Sequence, residues 1–130
     1  MKQWRDALVN RDASLEQAIE VLDKAALRIA LVVDEAEALL GTLTDGDVRR
    51  ALLRHLSLDT PVHEVMNTNP KTAGEDWTES RILAVMEQYE VLQLPLVDGD
   101  QKIVGLANLH DLLNKHRHDN PVFLMAGGFG

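Results

Sequence analysis

Gly41-Thr42-Leu43-Thr44-Asp45-Gly46-Asp47 returns, altered, as Gly105-Leu106-Ala107-Asn108-Leu109-His110-Asp111. Each copy sets a hydroxyl or amide side chain three residues before a carboxylate. Working outward at the same offset of 64 positions, the register holds without gaps from about Ser14 to Leu53. Ser14 falls on Thr78, Val21 on Val85, Val33 on Val97 and Asp34 on Asp98. Residue character persists where identity is lost: Ala18 meets Ile82, Leu22 meets Met86, Leu39 meets Ile103 and Leu40 meets Val104. A coincidence of hydrophobic pattern does not reproduce the Val-Asp pair and the Gly-x-x-x-x-x-Asp frame together, so the chain reads as a tandem duplication. The period lies above the usual solenoid range and there are two copies. Two units burying faces against each other is therefore a better reading than an open array.

Composition sets the bounds. A chain of 130 residues fits one compact domain, and either half alone would bury too little surface to be more than marginal. Hydrophobic content of 45% is ordinary, and the absence of cysteine removes disulfides and thiolate metal sites. The amino terminus lacks the apolar stretch of a signal peptide, and no run approaches membrane-spanning length. These features predict a soluble, cytoplasmic protein. A formal charge of −8 argues against general DNA or RNA binding. An anionic ligand would need a local cluster of cations.

The elements repeat in order. Ser14-Leu15-Glu16-Gln17 has the form of a capping box, and Ala18, Ile19, Leu22 and Ala26 follow at helical spacing. Thr78 takes the cap in the second copy, with Ile82, Val85, Met86 and Tyr89 as the apolar stripe. Short apolar runs, Ile29 to Val33 and Leu92 to Val97, read as strands. Turns at Asp34 and Asp98 return the chain through Leu39 to Leu43 and Ile103 to Ala107. A second helix begins near Asp47 and Asp111, carrying Val48, Ala51 and Leu52, or Leu112 and Leu113. Short extended leads precede each unit at Leu8-Val9 and Thr72-Ala73, and residues 60–70 form a connector with turns. The fold class expected is α/β, with two pseudo-symmetric repeats, each a small sheet covered by two helices.

The order of elements, the Gly-x-x-Thr-x-x-Asp segment, the Glu64-Val65-Met66-(x)3-Pro70 connector and Leu94-Pro95-Leu96-Val97-Asp98 resemble a paired cystathionine-β-synthase (CBS) domain module. The likeness covers roughly residues 5 to 116. It divides the chain into repeat 1 at 1–58, repeat 2 at 59–118 and a tail at 119–130.

Thr44 and Asp47 admit two readings. As a helix cap, the hydroxyl accepts a backbone N–H and the carboxylate favours the positive helix end, for about 1 kcal/mol. As a ligand site, a carboxylate at a strand–helix junction accepts both hydroxyls of a ribose, each bond contributing roughly 1.5–3 kcal/mol. The CBS resemblance implies the second: Thr44 and Asp47 would hold the ribose of AMP, ADP, ATP or S-adenosylmethionine. In the second copy Asp111 is retained, but Asn108 departs from the Thr or Ser of the pattern, so one working site is expected, at Thr44 and Asp47, with a second at Asn108 and Asp111 as the alternative. The resemblance also places the adenine ring against Thr72, Ala73 and Pro95, or Leu8, Val9 and Leu31, positions equally suited to a core.

Arg49 and Arg50 follow the first motif early on its helix, where the helix dipole gives little reason for cations, and are candidate phosphate contacts. Arg54 and the Lys115-His116-Arg117-His118 end are explained by that dipole, while Arg28, before the first strand, stays ambiguous. His116 and His118 alternate as a metal pair would, but no carboxylate or Cys partner stands at ligand spacing, so no metal is expected. No nucleophile–base set is apparent, so no catalytic residue is assigned. The resemblance further implies homodimers formed through the helices.

The end of the chain, Leu124-Met125-Ala126-Gly127-Gly128-Phe129-Gly130, resembles the opening strand and glycine-rich loop of sugar-phosphate nucleotidyltransferases. The Arg that follows in that family is absent, and so is the rest of its fold. This reading expects a chain cut just inside a carboxy-terminal catalytic domain. The function expected is a regulatory adenosine-nucleotide module of that enzyme; the alternative is an assembly module without ligand.

Overall fold

Two three-stranded sheets of one plan carry the structure. A computed structural model of the chain describes residues 4–25 and 28–119, the last five by backbone alone. Ala26, the side chains of residues 115–118 and the glycine-rich tail lie outside the described residues.

After a 3-10 turn at Trp4–Ala7, β1 (Leu8–Asn10) leads to α1 (Leu15–Ala25). A hairpin of β2 (Ile29–Val33) and β3 (Leu39–Thr44) follows, then α2 (Asp45–Leu53). The second unit repeats this as β4 (Ala73–Gly74), α3 (Glu79–Tyr89), β5 (Gln93–Val97), β6 (Ile103–Asn108) and α4 (Leu109–Asp119). In each sheet the lead strand pairs parallel to one hairpin arm, in the orders β1-β2-β3 and β4-β5-β6. The offset of the duplication is kept pair by pair. Val9 faces Val32 as Ala73 faces Leu96, and Ile29 faces Thr44 as Gln93 faces Asn108. Even the register shift recurs, between Val32 and Val33 and between Leu96 and Val97.

Local chemistry explains the elements. Ser14 Oγ accepts the Gln17 N–H at 3.2 Å and Gln17 Oε1 accepts the Ser14 N–H at 2.9 Å, a reciprocal box at the start of α1. Thr78 caps α3 through the Arg81 N–H. At the hairpins, Asp34 Oδ1 accepts from the Ala36 and Ala38 N–H groups at 2.8 and 3.0 Å. Asp98 does the same with Asp100 and Lys102. The side chain replaces a backbone acceptor, which lets the turn close on left-handed Glu37 and Gln101 at φ 65° and 67°. The Ala38 N–H is the main reason that the Asp34 carboxyl is held below the usual carboxylate value. Asp34→Ala is expected to lower the midpoint of a urea titration at neutral pH, because two backbone N–H groups lose their acceptor; an unchanged midpoint would show that the turn needs no side-chain acceptor.

Helix α1 buries Leu15, Ala18 and Leu22 against Val9, Ala30 and Val32, while α3 buries Ile82 and Met86 against Ala73 and Leu94. The last turns depart from the sequence reading. Tyr89 is exposed, with Lys71 Nζ 4.4 Å from its ring centroid. On α2 it is Ala51 that is buried, and Leu52 faces outward. Both positions belong to the last turns of their helices, and both lie about half in solvent.

The units join through Ile29, Leu31 and Val33 from one side and Val97 and Ile103 from the other. Their backbones join as well: Ala38 and Lys102 form an antiparallel bridge, Leu39 N–H donates to Gln101 O, and Ile103 N–H donates to Glu37 O. These residues are repeat counterparts, so a pseudo-twofold axis passes between Ala38 and Lys102. Among the described residues no helix is long and apolar enough to cross a membrane.

Candidate functional site

The connector returns to the first sheet and thereby makes a cleft. Asn67 and Thr42 exchange backbone hydrogen bonds of 2.8 and 3.1 Å, placing the connector along the outer edge of β3. The approach is possible because residue 41 is glycine: a Cβ there would stand 2.6 Å from Asn67 O and 2.7 Å from Met66 Sδ. Between this connector, the start of α2 and the start of β5 lies a cavity of about 680 Å³, a size suited to a small-molecule ligand. Thr42, Thr44, Asp47 and Arg50 line one wall; Asn67, Asn69, Pro70 and Lys71 line another; Val91, Leu92, Gln93 and Pro95 complete it.

Thr44 ends β3 and Asp47 lies in the first turn of α2. Asp47 Oδ2 accepts the Thr44 N–H at 2.9 Å and the Thr44 hydroxyl at 3.0 Å. Its Oδ1 accepts Arg50 Nη2 at 2.6 Å. The Asp47 side chain is 12% exposed, against 69% for Arg50. The two readings of Thr-x-x-Asp therefore coexist, since the carboxylate both completes the helix cap and lines the cleft.

The second copy is built differently. Asn108 Oδ1 accepts the Asp111 N–H at 3.3 Å, and Asp111 is exposed. Neither lines this cleft. Asn108 offers the Asp111 carboxylate no hydroxyl of the kind that Thr44 offers Asp47. Of the other expected residues, Pro95 is buried at the cleft wall. Thr72 and Ala73 follow Lys71 but line a separate groove with Trp77 and Asp98. Val9 is buried in the core of the first unit and Leu8 packs at the junction of the units. Arg49 is exposed and lies off the cleft, while its neighbour Arg50 lines it.

The sequence reading takes Asn67 and Asn69 as connector and Leu92 and Gln93 as the start of a strand, and gives Lys71 and Val91 no role. Asn67 and Asn69 stand in a polar segment broken by Pro70. The cations at the cleft are Arg28, Arg50 and Lys71, beside Asp45, Asp47 and Glu90. Arg28 adopts φ 65° and its Nη1 lies 3.5 Å from Asp45 Oδ2. Three cations against three carboxylates make the cleft near neutral in a chain of charge −8.

Known proteins share this arrangement. The CBS domain family matches residues 4–54 and 62–118. Arabinose 5-phosphate isomerase KdsD of Pseudomonas aeruginosa is 36% identical over 101 residues, covering 77% of this chain and 31% of that protein. The chain spans about a third of the length of the curated relatives it matches. Among solved structures, the CBS domain pair of protein MJ0100, in complex with 5′-methylthioadenosine and S-adenosyl-L-methionine, superposes with a TM-score of 0.75 at 25% identity, covering 87% of this chain and 89% of that one. The cytosolic domain of the Mg2+ channel MgtE, in complex with ATP, gives 0.71 at 26% identity, covering 83% and 44%. With both units matched and their strand registers repeated pair by pair, the chain belongs to the CBS domain family and forms a tandem CBS pair.

Proposed function

We propose that this pair is a cytoplasmic regulatory module that binds an adenosine ligand, AMP, ADP, ATP or S-adenosylmethionine, in the cleft beside Asp47. The observation that carries this reading is the Asp47 carboxylate, largely buried, oriented by two Thr44 donors and facing a cavity of nucleotide size. Adenosine ligands in MJ0100 and MgtE support the ligand class. Thr44, Asp47, Arg50 and Pro95 are the proposed contacts from the sequence reading, with Lys71 added by the cleft wall. Regulation follows only if the ligand prefers one arrangement of the pair over another. Calorimetric titration with the four ligands tests the reading. Saturable heat with at least one is expected, and no binding by any at millimolar concentration sinks it.

The regulated partner is proposed from the residues at 124–130 to be a sugar-phosphate nucleotidyltransferase domain. In the Pseudomonas relative the named activity is an isomerase, so that protein couples to a different chemistry. A second reading, assembly through the helices into a homodimer, is favoured by Leu52 and Leu53 on α2, 49% and 72% exposed. Taken alone, it predicts the same oligomeric mass with or without nucleotide.

A further inference from the structure

We infer that Arg50 is a latch on the Asp47 carboxylate, which makes ribose binding depend on a phosphate and selects phosphorylated adenosine ligands over the free nucleoside. The inference rests on the adenosine site proposed above. A ribose diol needs acceptor capacity on Asp47. Oδ2 already accepts two donors from Thr44, and Oδ1 is taken by Arg50 at 2.6 Å. With Oδ2 filled, the two hydroxyls of the diol need both acceptor sites of Oδ1, so the cation must leave before both can bind.

The latch is built to open. It is one Nη2 contact rather than a two-pronged pair, and Arg50 is 69% exposed while Asp47 is 12% exposed, so the guanidinium can leave into water but the carboxylate it leaves needs another donor. The guanidinium folds back over Gly46, where a first side-chain carbon would lie 3.5 Å from Nη1. Arg50 also lines the same cleft. A phosphate there offers the guanidinium a stronger anion than the carboxylate it leaves, and Oδ1 is released to the ribose. Phosphate and ribose thus reinforce each other through one side chain. Arg49, next along the helix, is exposed and off the cleft, and serves as the internal control.

The test is an NMR shift titration of adenosine and AMP into the wild type, Arg50→Ala, Arg50→Gln and Arg49→Ala. Both Arg50 variants should bind adenosine about two- to fivefold more tightly than the wild type, as loss of the guanidinium frees Oδ1 for the diol. The same variants should bind AMP about tenfold more weakly or worse, having lost a charge-assisted phosphate contact. Arg49→Ala should move neither. Adenosine affinity that stays unchanged or falls in both Arg50 variants, at wild-type melting temperature, overturns the latch and leaves the site standing. Failure of all four adenosine ligands to bind the wild type overturns the site and the latch together; binding of S-adenosylmethionine alone overturns the latch and leaves the site standing. If ADP or ATP binds where AMP does not, the Arg50 comparison is made with that nucleotide and decides the latch in the same way.

Discussion

Asp47→Ala is expected to lower affinity for the proposed adenosine ligand by about a hundredfold or more. Two ribose hydroxyls donating to an ionised carboxylate contribute roughly 1.5–3 kcal/mol each, and 2.8 kcal/mol already corresponds to about a hundredfold. The substitution also removes the acceptor for the Thr44 N–H and hydroxyl, which costs about 1 kcal/mol of stability as a lost cap. Asp47→Asn separates the two effects. It keeps an oxygen for Thr44 but gives up the charge, so its stability should stay near wild type while affinity falls roughly tenfold. Asp111→Ala should leave the main isotherm within about twofold, because Asp111 is exposed and outside the cleft. Calorimetry on the three variants decides it. Equal losses from Asp47→Ala and Asp111→Ala would show that the two copies contribute alike, contrary to the geometry.

Gly41→Ala should destabilise the fold by about 1–3 kcal/mol, the usual range for forcing a methyl group into a packed contact. The new Cβ would meet the Asn67 carbonyl at 2.6 Å and Met66 at 2.7 and 2.9 Å. The Met66 side chain can move, but the Asn67 carbonyl is fixed by its hydrogen bond to Thr42. Relief therefore requires the connector to shift, and with it the cleft wall formed by Asn67, Asn69 and Lys71. Nucleotide affinity should fall alongside stability. Gly105→Ala is the matched comparison. Its Cβ would meet only Leu96 Cδ1 at 3.3 Å, the movable end of a side chain, and a cost under about 1 kcal/mol is expected. Urea denaturation of both variants checks this, and equal midpoints would mean that the connector is not held against β3.

Much of the fold was legible because its determinants act over a few residues. Alternating and helical apolar spacing, the Ser14 box, the Thr78 cap and the Asp34 and Asp98 turns each work locally. Repeated at one offset, they imply the order of elements and the hairpin register of both units. Locally read residues misled at the helix ends, where Leu52 and Tyr89 fit the apolar stripe but are exposed.

The candidate site was legible only in part. Thr44, Asp47 and Arg50 follow one another at intervals of three, and the sequence reading takes Arg50 together with Arg49 as candidate phosphate contacts. The i,i+3 spacing puts Arg50, and not Arg49, on the helix face of Asp47, but that this face borders a cleft depends on the connector. The remaining walls come from Lys71, Leu92 and Pro95, remote in sequence and near in space.

By itself the sequence determined the duplication, the α/β plan of each unit, and the asymmetry of Thr44 against Asn108. Only the tertiary structure decided that Gly41 admits the connector while Gly105 meets a side chain, and that the cleft forms beside the first copy of the motif. The reason is physical: hydrogen bonds in turns and caps are set by neighbours along the chain, whereas a cleft is set by which distant surfaces the buried apolar contacts bring together.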